Sequence, residues 1–371
     1  MRIGIDGRPL QGLRTGVGRY AFELCRQLDR LIPDAEFYVY SNMPVEMPVA
    51  SARWTLRLDP FPLARRMKPV LWLKLRCGRL CREDNLDIFW GVAAFLPPLA
   101  GNIRMAVTVH DVTFKIAPES MSTFHRWAHQ LFFRADLRRA HAVMTNSHGT
   151  AARISEQLES RTPVTVYPAV ADAFRPQSME AVAACLKRHA IAPPYILSVA
   201  TREPRKNTAL LLEAFLALKK QGRLPGYSLI LAGGKGWRAK ALGERLDEAH
   251  DNDVIAMGYV TDEDLPCLYA GAELFVFPSK YEGFGMPVAE ARACGTRVLT
   301  SDLPELREAG GDDAVYVAPT LPGLCEGMLK ALSQPRKSGT ERTSLPTWEA
   351  SGKILAGVLI GRADNYAAHG T

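Results

Sequence analysis

Residues 272–295 hold the stretch that most narrows what this chain can fold into. Ala272-Glu-Leu-Phe-Val-Phe-Pro278 is a short apolar run closed by a proline. Strands covered on both faces are nearly continuous in apolar residues, so the run predicts a buried strand. From Pro287 the sequence Pro-Val-Ala-Glu-Ala-Arg-Ala-Cys reads as a helix, with Pro at its start and Gly295 just past its end. Between them lies the glycine-rich turn Ser279-Lys-Tyr-Glu-Gly-Phe-Gly285. A helix N-terminus presented by such a turn has unpaired N–H groups and a positive dipole end, which suits a phosphate. Glu282 and Glu290 bracket the turn. A carboxylate accepts two hydrogen bonds at once and so suits neighbouring sugar hydroxyls. An anion pocket between two diol acceptors describes a site for a nucleotide sugar.

Glu282 and Glu290 stand in the pattern E-x7-E, within E-G-F-G-x-P-x-x-E. This resembles the retaining glycosyltransferases of family 4, which have the GT-B fold. The resemblance implies that Glu282 binds hydroxyls of the donor sugar and Glu290 those of the ribose. It also implies that the backbone of Gly283, Phe284, Gly285 and Met286 faces the donor's diphosphate.

Three more segments carry the same resemblance. Tyr195-Ile-Leu-Ser-Val-Ala200 reads as a strand, and Thr201-Arg-Glu-Pro-Arg-Lys-Asn207 comes after it, ahead of a helix from Thr208. Adjacent bases there make a diphosphate clamp. The segment is similar to the family's G-T-x-E-P-R-K-N, with Ala200 in place of glycine, and implies donor contacts for Thr201, Arg205 and Lys206. Whether Arg202 or Arg205 holds the diphosphate stays open. Gly258-Tyr259-Val260 resembles the nucleobase-side segment. Near the N-terminus, Arg2-Ile-Gly-Ile-Asp6 reads as a first strand, with a glycine-rich loop through Gly16 and Gly18 next and then a helix from Tyr20. The loop is not G-x-G-x-x-G, which disfavours a dinucleotide fold. It resembles the family's T-G-x-G loop beside the donor phosphates. Met105-Ala-Val-Thr-Val-His110-Asp111 places His110 and Asp111 at a strand's C-terminal end, where open α/β sheets hold ligands. Val-His-Asp-Val-Thr-Phe resembles the family's H-D-x-x-F segment, whose histidine lies beside the donor sugar. Asp111 either orients that ring or caps the next turn of the chain.

Strands alternate with helices along the whole chain, which predicts an α/β protein with parallel sheets. With the resemblance, this becomes two Rossmann-like parallel-sheet domains facing across a cleft. The expected divisions are an acceptor-side domain over 1–172, a linker over 173–194, a nucleotide-sugar domain over 195–345 and a C-terminal helix over 346–371 returning to the first domain.

The chain has 371 residues, 47% of them hydrophobic and 23% charged, a soluble globular balance. No run approaches the ~18 apolar residues of a membrane span, and the N-terminus lacks a signal peptide's apolar core, so a cytoplasmic protein is expected. Seven cysteines without metal-ligand pairing read as reduced. Residues 1–170 carry 23 Lys/Arg against 15 Asp/Glu. No nucleic-acid motif accompanies that excess, so an anionic membrane surface or a phosphate-bearing acceptor fits it better. Residues 59–82 read as a basic amphipathic helix interrupted by Pro69, able to lie on a membrane or on the sheet. Residues 121–140 read as a helix whose aromatic stripe (Phe124, Trp127, Leu131, Phe132) belongs to the core. Asp251-Asn-Asp253 has a D-x-D form but sits before a strand, so it reads as a turn, and no metal or other cofactor is expected.

The function this implies is a retaining hexosyltransferase. The wording of its motifs is most like mannosyl- and rhamnosyltransferases of O-antigen or exopolysaccharide synthesis. That implies a GDP-sugar donor and a saccharide acceptor, on a polyprenyl diphosphate at the inner membrane face. The catalytic group would be Glu282, His110, Arg205 and Lys206. Alternatives are a UDP-sugar enzyme, a sugar-nucleotide epimerase and a non-catalytic GT-B-like subunit. An epimerase needs a further base that the sequence does not offer. The intact Glu282, Glu290, Arg205 and Lys206 argue against a degenerate subunit.

Overall fold

A computed structural model describes residues 1–12, 16–99, 101–155, 162–234, 236, 253–335 and 345–361. The chain forms two compact units. One takes in residues 1–115, 121–169 and the described residues from 346 on; the other takes in 116–120 and 170–345.

The first unit is built on strands β1 (Arg2–Asp6), β2 (Glu36–Ser41), β3 (Trp54–Leu58), β4 (Ile88–Gly91), β5 (Arg104–Val109), β6 (Ala142–Thr145) and β7 (Val164–Thr165). They lie in the order β3-β2-β1-β4-β5-β6-β7, and every neighbouring pair is parallel. The chain moves outward from β1 to β3, then returns to β4 on the other side of β1. Strand ends diverge at such a reversal, and ligands of open α/β sheets bind there. Helix α1 (Gly16–Leu31) buries Tyr20, Leu24 and Leu28 along one face, as their i, i+4, i+8 spacing predicts.

Three local expectations for this unit change. Helix α1 starts at Gly16, so Gly16 and Gly18 form its first turn rather than a loop before it. Gly18 is needed there because a Cβ would meet the carbonyl oxygen of Pro9 at 2.7 Å. Pro69 does not interrupt a helix: it opens one, at the position where its missing N–H costs nothing, and helical turns then run to Glu83. The apolar side of that run, with Val70, Trp72, Leu73, Cys77 and Leu80, is buried. Helix α2 (Thr123–Arg139) buries Ala128, Phe133 and Leu137, whereas Trp127 and Leu131 are 45% and 54% exposed. Apolar residues encircle this helix, so its composition could not say which side faces inward.

The second unit repeats the plan with β8 (Tyr195–Val199), β9 (Ser228–Ala232), β10 (Val254–Gly258), β11 (Leu274–Phe277), β12 (Val298–Ser301) and β13 (Val315–Val317). The order is β10-β9-β8-β11-β12-β13, all parallel, so the reversal falls between β8 and β11. Its helices include α3 (Met179–Arg188), α4 (Thr208–Lys220), α5 (Leu265–Gly271), α6 (Met286–Ala293), α7 (Pro304–Gly310) and α8 (Leu321–Ser333). Helix α3 lies in the expected linker, yet it packs on α5 within this unit. Leu211, Phe215, Leu218, Leu229, Leu274, Leu299 and Met328 form the core between the sheet, α4 and α8. The last helix, α9 (Trp348–Ile360), packs on α1 in the first unit, and Leu355 and Leu359 enter that unit's core.

Gly233 fixes the end of β9. Its φ is +130°, and a Cβ there would stand 2.0 Å from the carbonyl oxygen of Ala200. Backbone cannot step aside as a side chain can. Gly233→Ala should therefore cost about 3 kcal/mol or more, read as a lower urea midpoint at unchanged slope. Asp251 and Asn252 lie outside the described residues. Asp253 has φ +61° and accepts from Lys219 Nζ at 2.6 Å, as a turn residue does.

Candidate active site

The reversal between β8 and β11 brings together two loops far apart in sequence. The loop after β8 makes a 3₁₀ turn, Pro204–Lys206, and Asn207 then takes a left-handed conformation (φ +57°) that lets α4 begin at Thr208. Asparagine tolerates that conformation better than most residues. The loop after β11 leads through residues 278–285 into α6. Lys280 N–H donates to Arg205 O at 2.9 Å, and Arg205 Nη1 donates to Tyr281 O at 2.8 Å.

Glu282 sits where the two loops meet and is 6% exposed. Its Oε1 accepts from Lys206 Nζ at 2.7 Å and from Ser279 Oγ at 2.5 Å. Its Oε2 faces Arg205 Nη1 at 2.9 Å. Burial alone would raise the carboxyl's pKa, but Lys206 and Arg205 outweigh it and hold Glu282 below the ordinary range. Burial pulls the Lys206 ammonium down, against the attraction of Glu282. Lys206 Nζ also stands 4.9 Å from the centre of the Phe277 ring. A buried carboxylate and two cations therefore form one interlocked cluster at the strand ends.

Glu290 lies one turn into α6, is 7% exposed, and accepts from Tyr269 OH at 3.1 Å. Gly285 precedes α6 with φ +104°, and a Cβ on it would meet Leu306 Cδ2 of α7 at 2.5 Å. Pro287 has no N–H, and the amides of Val288 and Ala289 donate to Gly285 O. Gly283, Phe284 and Gly285 belong to the turn before α6, and Met286 is its first residue. Thr201 is exposed and donates to Glu203. Gly258 ends β10 with φ +77° and accepts from Gly233 N–H; Tyr259 is 74% exposed and Val260 is buried.

Gly16, Gly18 and His110 belong to the first unit. His110 comes just after β5, and its Nε2 is 2.8 Å from Val92 O. A carbonyl only accepts, so Nε2 carries the proton and Nδ1 of the neutral ring is an acceptor. Tyr20 meets the ring edge-on at 4.8 Å. Burial lowers the histidine's pKa, opposed by Val92 O and Asp111, which favours the neutral ring. Asp111 accepts from Thr113 N–H at 2.8 Å and so caps the short helical turn after it.

Several supporting groups carry no signal in the sequence. Ser279, Tyr281 and Phe277 hold the Glu282 cluster, Tyr269 holds Glu290 and Tyr20 holds the His110 ring. Arg8 is another: it pairs with the buried Asp6 through two hydrogen bonds of 2.8 and 2.7 Å and reaches Ala93 O at 3.4 Å, bridging the β1–β4 reversal.

Comparison with known proteins accords with this arrangement. A profile described as "Glycosyl transferases group 1" matches residues 187–338, and "Glycosyltransferase Family 4" matches residues 14–173. The chain is 29% identical over 335 residues to an O-antigen chain mannosyltransferase B of Escherichia coli, covering 86% of this chain and 87% of that one. It is 31% identical over 207 residues to a serotype-specific mannosyltransferase, WbdA, of E. coli, covering 54% of this chain and 25% of that longer protein. The structure of WaaG, a glycosyltransferase involved in lipopolysaccharide biosynthesis, superposes with a TM-score of 0.68 at 16% identity, over 99% of this chain and all of that one. With a family 4 glycosyltransferase profile on the first parallel-sheet unit and a group 1 glycosyl transferase profile on the second, the chain is a glycosyltransferase of the GT-B fold.

Proposed function

We propose that this enzyme moves a hexose, mannose or D-rhamnose, from a GDP-linked donor to a saccharide acceptor on a lipid diphosphate, with retention of the anomeric configuration. The observation that carries the reading is the Glu282–Arg205–Lys206 cluster at the β8–β11 reversal, one loop away from a helix N-terminus and Glu290. The hard part of such a transfer is the charge that gathers on the leaving diphosphate while the sugar becomes oxocarbenium-like. Arg205 and Lys206 lie fixed and largely buried, and a preorganised donor of this kind supplies about 3 kcal/mol. In this reading Glu282 uses the remaining lone pair of Oε2 for a sugar hydroxyl, and Glu290 takes the ribose hydroxyls. Neutral His110 hydrogen-bonds the donor sugar. The two protein cations supply the charge neutralisation, so transfer should proceed without added Mg²⁺ or Mn²⁺. The choice of sugar and acceptor class rests on the mannosyltransferase relatives.

Thermal shifts with GDP, UDP, ADP and dTDP test the donor. At 100 times Kd a nucleotide adds about 2.7 kcal/mol, and each kcal/mol moves the melting of a unit this size by roughly 2–4 °C. GDP alone should give the shift. Glu290→Ala should lose it and His110→Ala should keep it. A shift with another nucleotide removes the GDP-sugar reading, and an unaltered shift in Glu290→Ala removes the ribose assignment.

The acceptor reading extends to a membrane face on the first unit. Phe61, Leu63, Leu75, Trp127 and Leu131 are 40–71% exposed, beside the exposed Arg65, Arg66 and Lys68. Lys68 and Lys74 approach the rings of Phe124 and Phe132, so the 61–76 segment and α2 form one surface. Apolar side chains ringed by cations suit an anionic bilayer, where each cation contributes about 1 kcal/mol. The protein should sediment with phosphatidylglycerol vesicles and not with phosphatidylcholine ones. Leu75→Glu should weaken that binding, and equal binding to both vesicle types would refute it. No described helix is long and apolar enough to cross a membrane.

A further inference from the structure

Away from the donor residues, the C-terminal end of α3 meets the N-terminal end of α5. Cys185 lies in the last turn of α3, and His189 is its C-cap. The two are four residues apart, so their side chains share one face of the helix. Asp264 is the N-cap of α5. Cys185 Sγ, a ring nitrogen of His189 and a carboxylate oxygen of Asp264 all lie within 4.8 Å of one another. His189 Nε2 is 2.8 Å from Asp264 Oδ2, and Cys185 Sγ is 3.7 Å from Asp264 O. Cys185 is wholly buried, while the His189 and Asp264 side chains are 27% and 20% exposed, which leaves a route from solvent.

We propose that Cys185, His189 and Asp264 form a binding site for a Zn²⁺-class divalent ion that pins α3 to α5. Thiolate sulfur, imidazole nitrogen and carboxylate oxygen are each ligands that Zn²⁺ takes. Such atoms sit about 2.0–2.3 Å from the ion, so in a tetrahedral site any two stand about 3.3–3.8 Å apart. The three atoms lie within 4.8 Å of one another, so the side chains close by about 1 Å to take the ion. A fourth position goes to water or to Cys267, buried one turn along α5. Binding replaces the Cys185 S–H proton, which leaves to solvent, and breaks the His189–Asp264 hydrogen bond as both turn to the ion. Arg188 competes for the site through its ion pair with Asp264 Oδ1.

The site is structural and separate from sugar transfer. Helix α5 also carries Tyr269, the partner of Glu290, so an ion that fixes α5 steadies that contact. The test titrates the full chain, stripped with chelator, first with Co²⁺ and then with Zn²⁺. One equivalent of Co²⁺ should give a sulfur-to-cobalt charge-transfer band and tetrahedral visible bands, both displaced by one equivalent of Zn²⁺. Cys185→Ser should abolish the charge-transfer band, and His189→Ala should weaken binding at least tenfold. Arg188→Ala, an exposed change that spares the fold, should tighten binding severalfold by freeing Asp264. Absence of the band in the wild-type protein overturns the proposal whatever the variants do. So does a band that persists in Cys185→Ser, or Arg188→Ala binding no tighter than wild type.

Discussion

Replacing Glu282 with alanine should cost about 3 kcal/mol of stability and reduce sugar transfer below detection. The carboxylate is buried against Lys206 and Arg205 and accepts from Ser279. Removing one member of a buried ion pair leaves an uncompensated charge, which costs about 3–5 kcal/mol. Here the residual exposure of the two cations and the contact of Arg205 with Tyr281 O favour the low end. Glu282→Gln keeps the volume and separates charge from shape. Its stability deficit should also depend on pH. The folded protein holds the Glu282 carboxyl below its ordinary value of 4.5. The stabilisation is therefore complete above that value and is lost as the pH falls through the depressed one. Urea midpoints of wild type and Glu282→Gln should differ most near neutrality and converge in acid. A constant difference down to low pH would show that the charge of Glu282 does not contribute. Nucleotide affinity should survive both changes, because Lys206 and Arg205 lose their internal counter-charge and turn fully to the diphosphate. A GDP thermal shift lost along with transfer would contradict a sugar-side role for Glu282.

Lys206→Ala should cost less stability and act mainly on turnover. Glu282 keeps Arg205 and Ser279, so the fold loses less. The charge on the departing diphosphate loses a fixed donor, and turnover should fall by about 10²–10³. The loss should appear in kcat rather than in KM alone, since the diphosphate gains charge only as the sugar leaves. Lys206→Arg should not restore activity. The lysine sits in a largely buried slot between Glu282 and the Phe277 ring, and a planar guanidinium is neither a point charge nor of the same shape. Steady-state kinetics with a GDP-hexose decide the matter. A raised KM at unchanged kcat would make Lys206 a ground-state binding group only.

The strand–turn–helix at 272–295 was legible because each of its signals is local. An apolar run closed by a proline, two turn glycines and a second proline at the helix start act within a few positions of one another. Helix α6 begins at Met286, with Gly285 in a backbone conformation that favours glycine. The helix start at Thr208 and the place of His110 at the end of β5 were also legible locally. Elsewhere the local signals are ambiguous. Pro69 is compatible with breaking a helix or opening one, and apolar residues all round α2 could not say that Trp127 and Leu131 face outward.

What no local pattern encodes is which strand lies beside which. The Lys206–Glu282 contact joins residues 76 positions apart, and it exists because β11 returns to pair with β8. That one pairing makes two recognisable segments into a charged cluster and recruits Ser279 and Phe277 to it. Tyr269 reaches Glu290 through the packing of α5 beside α6, and Tyr20 reaches the His110 ring from α1. The meeting of Cys185 and His189 with Asp264 is of the same kind: helix spacing pairs the first two, but only the packing of α3 on α5 adds the third. By itself the sequence determined the strands, the helix starts and the residues that carry charge, because periodicity and turn chemistry act over a few residues. Tertiary structure alone decided which charges neutralise each other and which aromatic groups hold them in place, because those contacts form only when distant strands and helices pack.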